Sequence, residues 1–239
     1  MKRTVALAIA ILLCCGVFGC AEEESLIGVW ERSRTEAVGS DMVSIRYMFT
    51  SEGSFAMSVI QTGDYVSTEE SVVINPNSSP YEVVNRYQSY AYQFVGERLI
   101  LTDGKLSQLF VRTEGTEGFA GRWELIQLLD PDELVSFLSD PEGYALGNVF
   151  GVVMTDDEAQ FAIEFTDDGI CREITTYLGE YSAEDEVLTC TLCLDGGITE
   201  IYRYRFEDSC LILSDQETHE EGNEAITDTI ELLFKRISY

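Results

Sequence analysis

The sequence contains an internal repeat, and a repeat of this length determines how the chain divides into structural units. Four segments of the first half recur, in the same order, in the second half. The matched segments are LIGVWERS (26–33) with FAGRWELI (119–126), RYMFTSEGSF (46–55) with AIEFTDDGIC (162–171), YAYQFVGERLILTD (90–103) with YRYRFEDSCLILSD (202–215), and LFVR (109–112) with LFKR (233–236). The chain's two tryptophans each open one copy. The sequence therefore predicts two related units, residues 26–113 and 119–239, joined by a polar, glycine-containing linker at 114–118.

Large apolar side chains occupy alternate positions through much of each repeat. Examples are Tyr90, Tyr92 and Phe94 in the first copy, and Tyr202, Tyr204 and Phe206 in the second. This period of two is typical of antiparallel strands with one buried face. Short turns that contain glycine, such as 51–53 and 167–169, separate the strands. We expect a mainly β protein built from small antiparallel up-and-down sheets, and we attribute the acidity of these turns to turn chemistry.

One helix is predicted at about 131–139, inside an insertion of the second repeat. Asp130 provides an N-cap, Pro131 suits the first helical position, and acidic residues follow in the first turn. Apolar residues then form one face until Asp140 and Pro141 end the pattern. We expect this helix to cover one end or one edge of the second unit.

The first 19 residues have the pattern of a signal peptide. Lys2 and Arg3 precede an apolar stretch, 4–18, that is too short to span a bilayer comfortably. Val17-Phe18-Gly19-Cys20 resembles the lipobox of bacterial lipoproteins, in which the cysteine is acylated and becomes the mature N-terminus. The resemblance implies lipidation at Cys20, a tether over 20–25, and an exported protein anchored at the outer side of the bacterial cell membrane or at the cell surface. A signal peptide or uncleaved anchor with an incidental cysteine is the alternative.

The repeats also resemble lipocalins, and more closely the short lipocalin-like domains of bacterial surface lipoproteins. Those domains run Gly-x-Trp, Phe-Thr-x-Asp-Gly and a late Leu-x-Leu strand, and a basic residue ends the last strand. The residues that match this signature are Gly28, Trp30, Arg112, Gly121, Trp123 and Arg236. The resemblance implies two tandem up-and-down β-barrels, each closed at one end by an arginine over its tryptophan. It pairs Trp30 with Arg112 and Trp123 with Arg236. Barrels this small can be filled by their own side chains.

The charge of the chain argues against a nucleic-acid partner. With 43 acidic and 15 basic residues, the formal net charge is −28 at pH 7. Nucleic-acid-binding proteins carry a basic surface, and this chain would repel polyanions.

Signals of catalysis or of metal binding are weak. The one histidine, His219, lies in an acidic loop, and no motif for a nucleophile, a phosphate loop or a zinc protease occurs. Cys190 and Cys193 have the spacing of a redox or zinc motif, but residues three apart on a strand point to opposite faces. Disulfides among Cys171, Cys190, Cys193 and Cys210 and free thiols both stay open. We expect no enzyme activity, no cofactor and no metal.

A tyrosine cluster is the remaining candidate for a binding surface. It comprises Tyr81, Tyr87, Tyr90 and Tyr92, which serve either core packing or a ligand-binding rim. We therefore expect a non-catalytic binding module for an apolar small molecule or a peptide, attached to the membrane through its N-terminal lipid. The alternative is a structural or interaction protein with filled barrels, which contacts a protein partner and has no small-molecule ligand.

Overall fold

The computed structural model describes residues 25–34, 42–76, 88–115, 117–144, 159–194, 196–221 and 224–237. Over these ranges the chain is mainly β, with 14 strands and one short helix. The elements are β1 (Gly28–Arg34), β2 (Met42–Phe49), β3 (Ser54–Ser67), β4 (Ser71–Pro76), β5 (Gln88–Val95), β6 (Arg98–Thr102), β7 (Ser107–Glu114), β8 (Gly121–Leu129), α1 (Pro131–Ser139), β9 (Ala159–Phe165), β10 (Ile170–Glu184), β11 (Val187–Leu192), β12 (Ile198–Glu207), β13 (Cys210–Glu221) and β14 (Glu224–Ile237). The first repeat supplies β1–β7 and the second supplies β8–β14.

All strand pairings in the described ranges are antiparallel, and they close into one circuit. Each strand pairs with the next along the chain, and β14 pairs with β1. One additional pairing, between β3 and β10, crosses this circuit and divides it into two smaller circuits of eight strands each. We call the circuit from β3 to β10 lobe A, and the circuit formed by β10–β14 with β1–β3 lobe B.

Each lobe combines strands from both repeats. Lobe A takes β3–β7 from the first repeat and β8–β10 from the second, and β7 pairs directly with β8. In lobe B, β14 closes onto β1. The expected arrangement of two tandem barrels, one for each repeat, is therefore not confirmed. The linker at 114–118 connects two neighbouring strands of lobe A.

The exchange of strands occurs because β3 and β10 are long and change partners midway. On one edge, β3 pairs with β2 as far as Thr62 and with β4 from Gly63 onward. In the same way, β10 pairs with β9 as far as Tyr177 and with β11 from Gly179 onward. The partner changes at a glycine in both strands. At Gly179 a Cβ atom would overlap the carbonyl oxygen of Thr191, so the close approach of β11 needs a residue without a side chain.

Each lobe has an apolar core, and both cores draw on both repeats. The fully buried members of core A are Val72, Ile74, Leu99, Leu101, Phe110, Trp123, Ile163, Phe165 and Cys171. Those of core B are Leu26, Trp30, Tyr47, Phe49, Phe55, Leu188, Cys190, Leu192, Tyr202, Leu211, Leu213 and Phe234. In core B, Tyr47 of the first repeat stacks on Phe234 of the second, with ring centroids 4.9 Å apart. Burial of these contacts therefore ties the two repeats together.

The predicted helix is confirmed as α1, Pro131–Ser139. Asp130 and Glu133 form a capping box, in which each side chain accepts a hydrogen bond from the backbone N–H of the other. Phe137 is fully buried on the outer face of lobe A, in a cluster with Ile100 and Leu109 of the first repeat. The helix therefore covers strands from both repeats, and not the second repeat alone. Among the described residues, no helix has the length and apolar character needed to cross a bilayer.

Candidate functional site

The tryptophan of each lobe is held by an arginine from a neighbouring strand. In lobe A the guanidinium of Arg112 lies 4.3 Å from the centroid of the Trp123 indole. In lobe B the guanidinium of Arg236 lies 5.3 Å from that of Trp30. The predicted pairs, Trp30 with Arg112 and Trp123 with Arg236, are wrong. The partners differ because β7 pairs with β8 and β14 with β1, so each arginine meets the tryptophan of the other repeat.

The two glycines of the Gly-x-Trp signature allow this packing. Gly28 has a φ of 137°, and a Cβ atom there would lie 3.2 Å from the guanidinium of Arg236. At Gly121, with φ of 130°, a Cβ atom would overlap the carbonyl oxygen of Glu114. Both positions favour glycine for two reasons: an L side chain rarely adopts such a φ, and a Cβ atom there would approach a neighbouring group too closely. The signature therefore has a structural role at the tryptophan end of each lobe.

Two tyrosines that the sequence prediction missed connect the repeats at the turns. The hydroxyl of Tyr65 donates to the carbonyl oxygen of Thr166 at 2.9 Å, and that of Tyr181 donates to Thr50 at 2.7 Å. Thr50 begins the turn of FTSEG and Thr166 that of FTDDG. Each turn is thus fixed by a tyrosine of the other repeat. The sequence carried a signal for this pair, because Gly-Asp-Tyr at 63–65 recurs as Gly-Glu-Tyr at 179–181.

An open cleft of about 420 Å³ lies beside the FTDDG turn. Its lining is rich in carboxylates; the residues are Glu114, Gly115, Glu117, Ala120, Gly121, Arg122, Glu164, Phe165, Thr166 and Asp167. One of these carboxylates, on Glu164, already forms an ion pair with Arg172 at 2.6 Å. Across the described ranges, no group of three or more His, Cys, Asp or Glu side chains is placed to hold a metal ion. Nothing in the cleft selects a ligand.

The interior of lobe B contains polar groups that bind one another. The hydroxyl of Tyr202 donates to a Glu200 carboxylate oxygen at 2.8 Å. Tyr47 is in hydrogen-bonding contact with Tyr202, and burial together with the charge of Glu200 raises the pKa of Tyr47 to about 12. The same causes raise the pKa of the Cys190 thiol to about 12. The phenol of Tyr47 and the thiol of Cys190 are therefore neutral at physiological pH.

The interior of lobe A is arranged differently, although its residues occupy equivalent positions. Tyr90 corresponds to Tyr202, and its hydroxyl lies 2.6 Å from the side-chain oxygen of Gln88. Glu173, two residues after buried Cys171 on the same face of β10, projects into the lobe. Burial raises the pKa of its carboxyl group. The described residues give this carboxyl no hydrogen bond and no ion pair, and sequence reasoning missed it because its inward position depends on the strand register.

Of the predicted tyrosine rim, the structure describes Tyr90 and Tyr92, which lie two residues apart on the same face of β5 and both pack against core A. Tyr92 packs at the tryptophan end of lobe A, 4.5 Å from Phe119 between ring centroids, and its hydroxyl donates to Thr68 at 2.8 Å. Tyr90 is half-buried in the interior. Tyr81 and Tyr87 lie outside the described residues, as does the predicted lipidation site, Cys20.

No disulfide links the four cysteines of the second repeat, all of which are among the described residues. Cys171 is buried in core A and Cys190 in core B, whereas Cys193, just after the end of β11, is exposed. The two sulfurs of the Cys-x-x-Cys spacing thus occupy different environments. Cys210 is half-buried at the start of β13. His219 belongs to the same strand, but its side chain is outside the described residues.

Comparisons with models of protein families, with curated protein sequences and with solved structures find no match to this chain. A proposal for its function therefore depends on the residues and their geometry. Among the described residues, the half-buried carboxyl of Glu173 in lobe A is the candidate group, because burial raises its pKa and no charged partner offsets that effect.

Proposed function

We propose that this chain is a lipid-anchored bacterial lipoprotein with two lipocalin-like lobes, exported and held outside the cytoplasmic membrane through Cys20. In this proposal it is a non-catalytic binding module, and lobe A takes up an apolar or amphipathic small molecule. The N-terminal motif Val17-Phe18-Gly19-Cys20 supports the anchor. The Gly-x-Trp motifs and the arginine over each indole support the lipocalin-like character.

The difference between the two interiors is the observation that carries the binding proposal. In lobe B the interior polar groups are paired with one another, through the contacts of Tyr202 with Glu200 and Tyr47. In lobe A the side chains of Tyr90, Phe161 and Glu173 are each only half-buried. An apolar interior that leaves aromatic faces and one carboxyl accessible is typical of a ligand pocket.

Of these half-buried groups, Phe161 lies away from the sealed tryptophan end of lobe A. Glu173, by contrast, pairs with Ile163, which in turn pairs with Trp123. β9 reaches that end at Phe165, whose ring centroid is 5.3 Å from that of Phe119. Phe161 is four residues earlier on the same face, about 13 Å along the strand. The tryptophan end of lobe A is thus filled by aromatic packing. Phe161 lies toward the other end, where in this proposal a ligand enters, and Glu173 lies between the two ends.

The side-chain-filled alternative is supported by core B. There the ring centroids of Phe49 and Phe55 are 5.6 Å apart, and Tyr47 stacks on Phe234. If lobe A were filled as completely, the protein would be a spacer or an interaction protein without a small-molecule ligand. We favour binding for two reasons. The half-buried carboxyl of Glu173 in lobe A stands at the position that Met57 occupies in lobe B. In addition, Tyr90 is half-buried, whereas the equivalent Tyr202 is buried.

Native mass spectrometry of the mature chain with a panel of dodecyl amphiphiles tests the binding proposal. We expect one adduct for each chain, and hydrogen exchange should slow on binding in β5, β9 and β10. If no member of the panel binds, or if protection appears only in lobe B, binding in lobe A is refuted and the filled alternative remains.

The anchor has a separate test. Cells that express the full chain should incorporate labelled palmitate into the protein, and Cys20→Ala should abolish the label. A label that persists in this variant would refute lipidation at Cys20, without bearing on the binding proposal.

A further inference from the structure

We propose that Glu173 binds the cationic head group of an amphipathic amine inside lobe A. This inference rests on the proposed binding function of lobe A and adds the chemical class of the ligand. Among the described residues, the Glu173 carboxyl has no hydrogen-bond or ion-pair partner. The equivalent position in the other repeat carries an apolar side chain.

The strand register sets the surroundings of Glu173. On one side it lies opposite Ile163 of β9, which is fully buried in core A. On its own strand, buried Cys171 precedes it on the same face. On its other side it lies opposite Gln61 of β3, whose side chain is exposed, so the carboxyl stands between the apolar wall of the lobe and a polar neighbour. Ionising an unpaired carboxyl in such surroundings is costly, and the raised pKa of Glu173 agrees with this cost.

No positive charge among the described residues faces this carboxyl. The nearest arginine in sequence, Arg172, points to the opposite face of β10 and is engaged by Glu164 at 2.6 Å. Within the described part of the chain, the titratable groups that interact with Glu173 are Tyr90 of β5 and Cys171 of β10, and neither can carry positive charge. A cation from outside the described residues would thus find an unneutralised anion in the lobe.

Tyr90 does not supply the missing hydrogen bond. Its one hydroxyl proton is directed to Gln88, at 2.6 Å, so it is not available to the carboxylate of Glu173. In lobe B the equivalent phenol, Tyr202, donates to Glu200 and so satisfies the carboxylate of that lobe.

The two repeats provide a natural comparison at this position. The residue equivalent to Glu173 in the first repeat is Met57, which packs against core B. The fold therefore accepts an apolar side chain at this site, and packing of the lobe does not require a carboxylate. The difference points to a ligand that a carboxylate can bind and a methionine cannot.

A primary alkylammonium ion has the complementary chemistry. Its three N–H donors pair with a carboxylate, and charge-assisted hydrogen bonds of this kind are the strong ones. Half-buried Phe161 and Tyr90 offer aromatic faces for the head group and for the alkyl chain. Binding of a cation would favour the ionised form of Glu173 and offset the cost of its burial.

The test compares dodecylammonium, dodecanol and dodecanoate on the mature chain by isothermal titration and native mass spectrometry. The variants are Glu173→Gln, Glu173→Met, which copies the first repeat, and Glu180→Gln as the control. Glu180 is an exposed carboxylate on the same strand. We expect dodecylammonium to bind once per chain. Both substitutions at Glu173 should weaken it roughly tenfold or more, and Glu180→Gln should leave it unchanged.

The other outcomes distinguish failure of the head-group assignment from failure of the proposed binding function. If all three probes bind wild type equally, or if Glu173→Gln binds the amine as tightly as wild type, the head-group assignment is wrong while lobe A remains a binding site. If none binds, the proposed function fails as well. Amine binding with many sites, weakened by salt and equally by Glu180→Gln, would be adsorption to the acidic surface and would overturn the inference. Near-UV circular dichroism confirms that each variant is folded.

Discussion

At the scale of single residues, comparison of equivalent positions in the two repeats distinguishes side chains with a shared structural role from a side chain that we assign to ligand binding. Tyr65 and Tyr181 keep the same role in both copies, because each fixes a turn of the other repeat. Glu173 and Met57 do not share a role. One copy has a carboxyl where the other has a methionine packed against its core, and that difference is our reason for assigning the carboxyl to a ligand.

The pH dependence of stability checks the environment of Glu173. Burial raises its pKa in the folded protein above the unfolded value. Protonation therefore stabilises the folded state as the pH falls through the raised pKa, and ionisation costs stability above it. Because glutamine stays neutral, Glu173→Gln should be more stable than wild type at pH 7, and the difference should shrink as the pH is lowered. Urea unfolding at several pH values measures this, and a constant difference would contradict the assigned burial.

Removal of the tyrosine hydroxyls tests the reciprocal contacts at the turns. Tyr65→Phe and Tyr181→Phe should each lower the free energy of unfolding by about 1 kcal/mol, the net value of one hydrogen bond. Tyr204→Phe is the control, because the Tyr204 hydroxyl has no hydrogen-bond partner among the described residues. Chemical denaturation gives all three values. A loss at only one of the two turns would show that the repeats are not joined equivalently.

At the scale of elements, the paired long strands β3 and β10 decide the architecture. Their register runs without interruption from Ser54 with Glu180 to Asp64 with Ile170, and both lobes share it. The hydroxyls of Ser58 and Thr176 add a side-chain contact of 2.8 Å between the same strands. Each of these strands leaves one lobe and enters the other at a glycine, so the architecture depends on these two glycines.

Substitution of Gly179 tests this crossing. Gly179→Ala should destabilise the protein by roughly 2 kcal/mol or more, because the new Cβ would overlap the Thr191 carbonyl and lie 3.0 Å from the Phe55 ring. Gly104→Ala is the control, at a turn where a Cβ has nothing within 4 Å and only the positive φ of 91° is unfavourable. Thermal and urea unfolding compare the two. Equal losses would show that β11 does not approach β10 closely at Gly179.

Local patterns predicted the elements, but they could not predict which copy each strand joins. The alternation of Tyr202, Tyr204 and Phe206 matches β12, and the Asp130 cap matches the start of α1. The arginine partner of Trp30 could not be predicted from such local patterns. Arg112 and Arg236 end equivalent strands, so nothing in the sequence distinguishes a contact within a repeat from one between repeats. The inward position of Glu173 likewise depends on pairing, since an outward carboxylate on a strand has the same local sequence.

At the scale of the whole molecule, the duplication yields two lobes that neither repeat forms alone. β3 runs from the tryptophan end of lobe B to that of lobe A, so these ends lie at opposite ends of a shared pair of strands. Residue 25, where the proposed tether joins the folded part, lies at the tryptophan end of lobe B. Lobe A therefore extends away from the attachment point, and Glu173 lies on the part of β10 that pairs with β9 in that lobe.

The indole N–H signals of the two tryptophans test this exchange most directly. In ¹H–¹⁵N spectra they can be assigned with Trp30→Phe and Trp123→Phe. We predict that Arg112→Lys shifts the Trp123 indole signal and leaves that of Trp30 in place, and that Arg236→Lys does the reverse, because each guanidinium lies over the indole of the other repeat. If Arg112→Lys shifted Trp30 and Arg236→Lys shifted Trp123, each repeat would close on itself, and the exchanged architecture would be wrong.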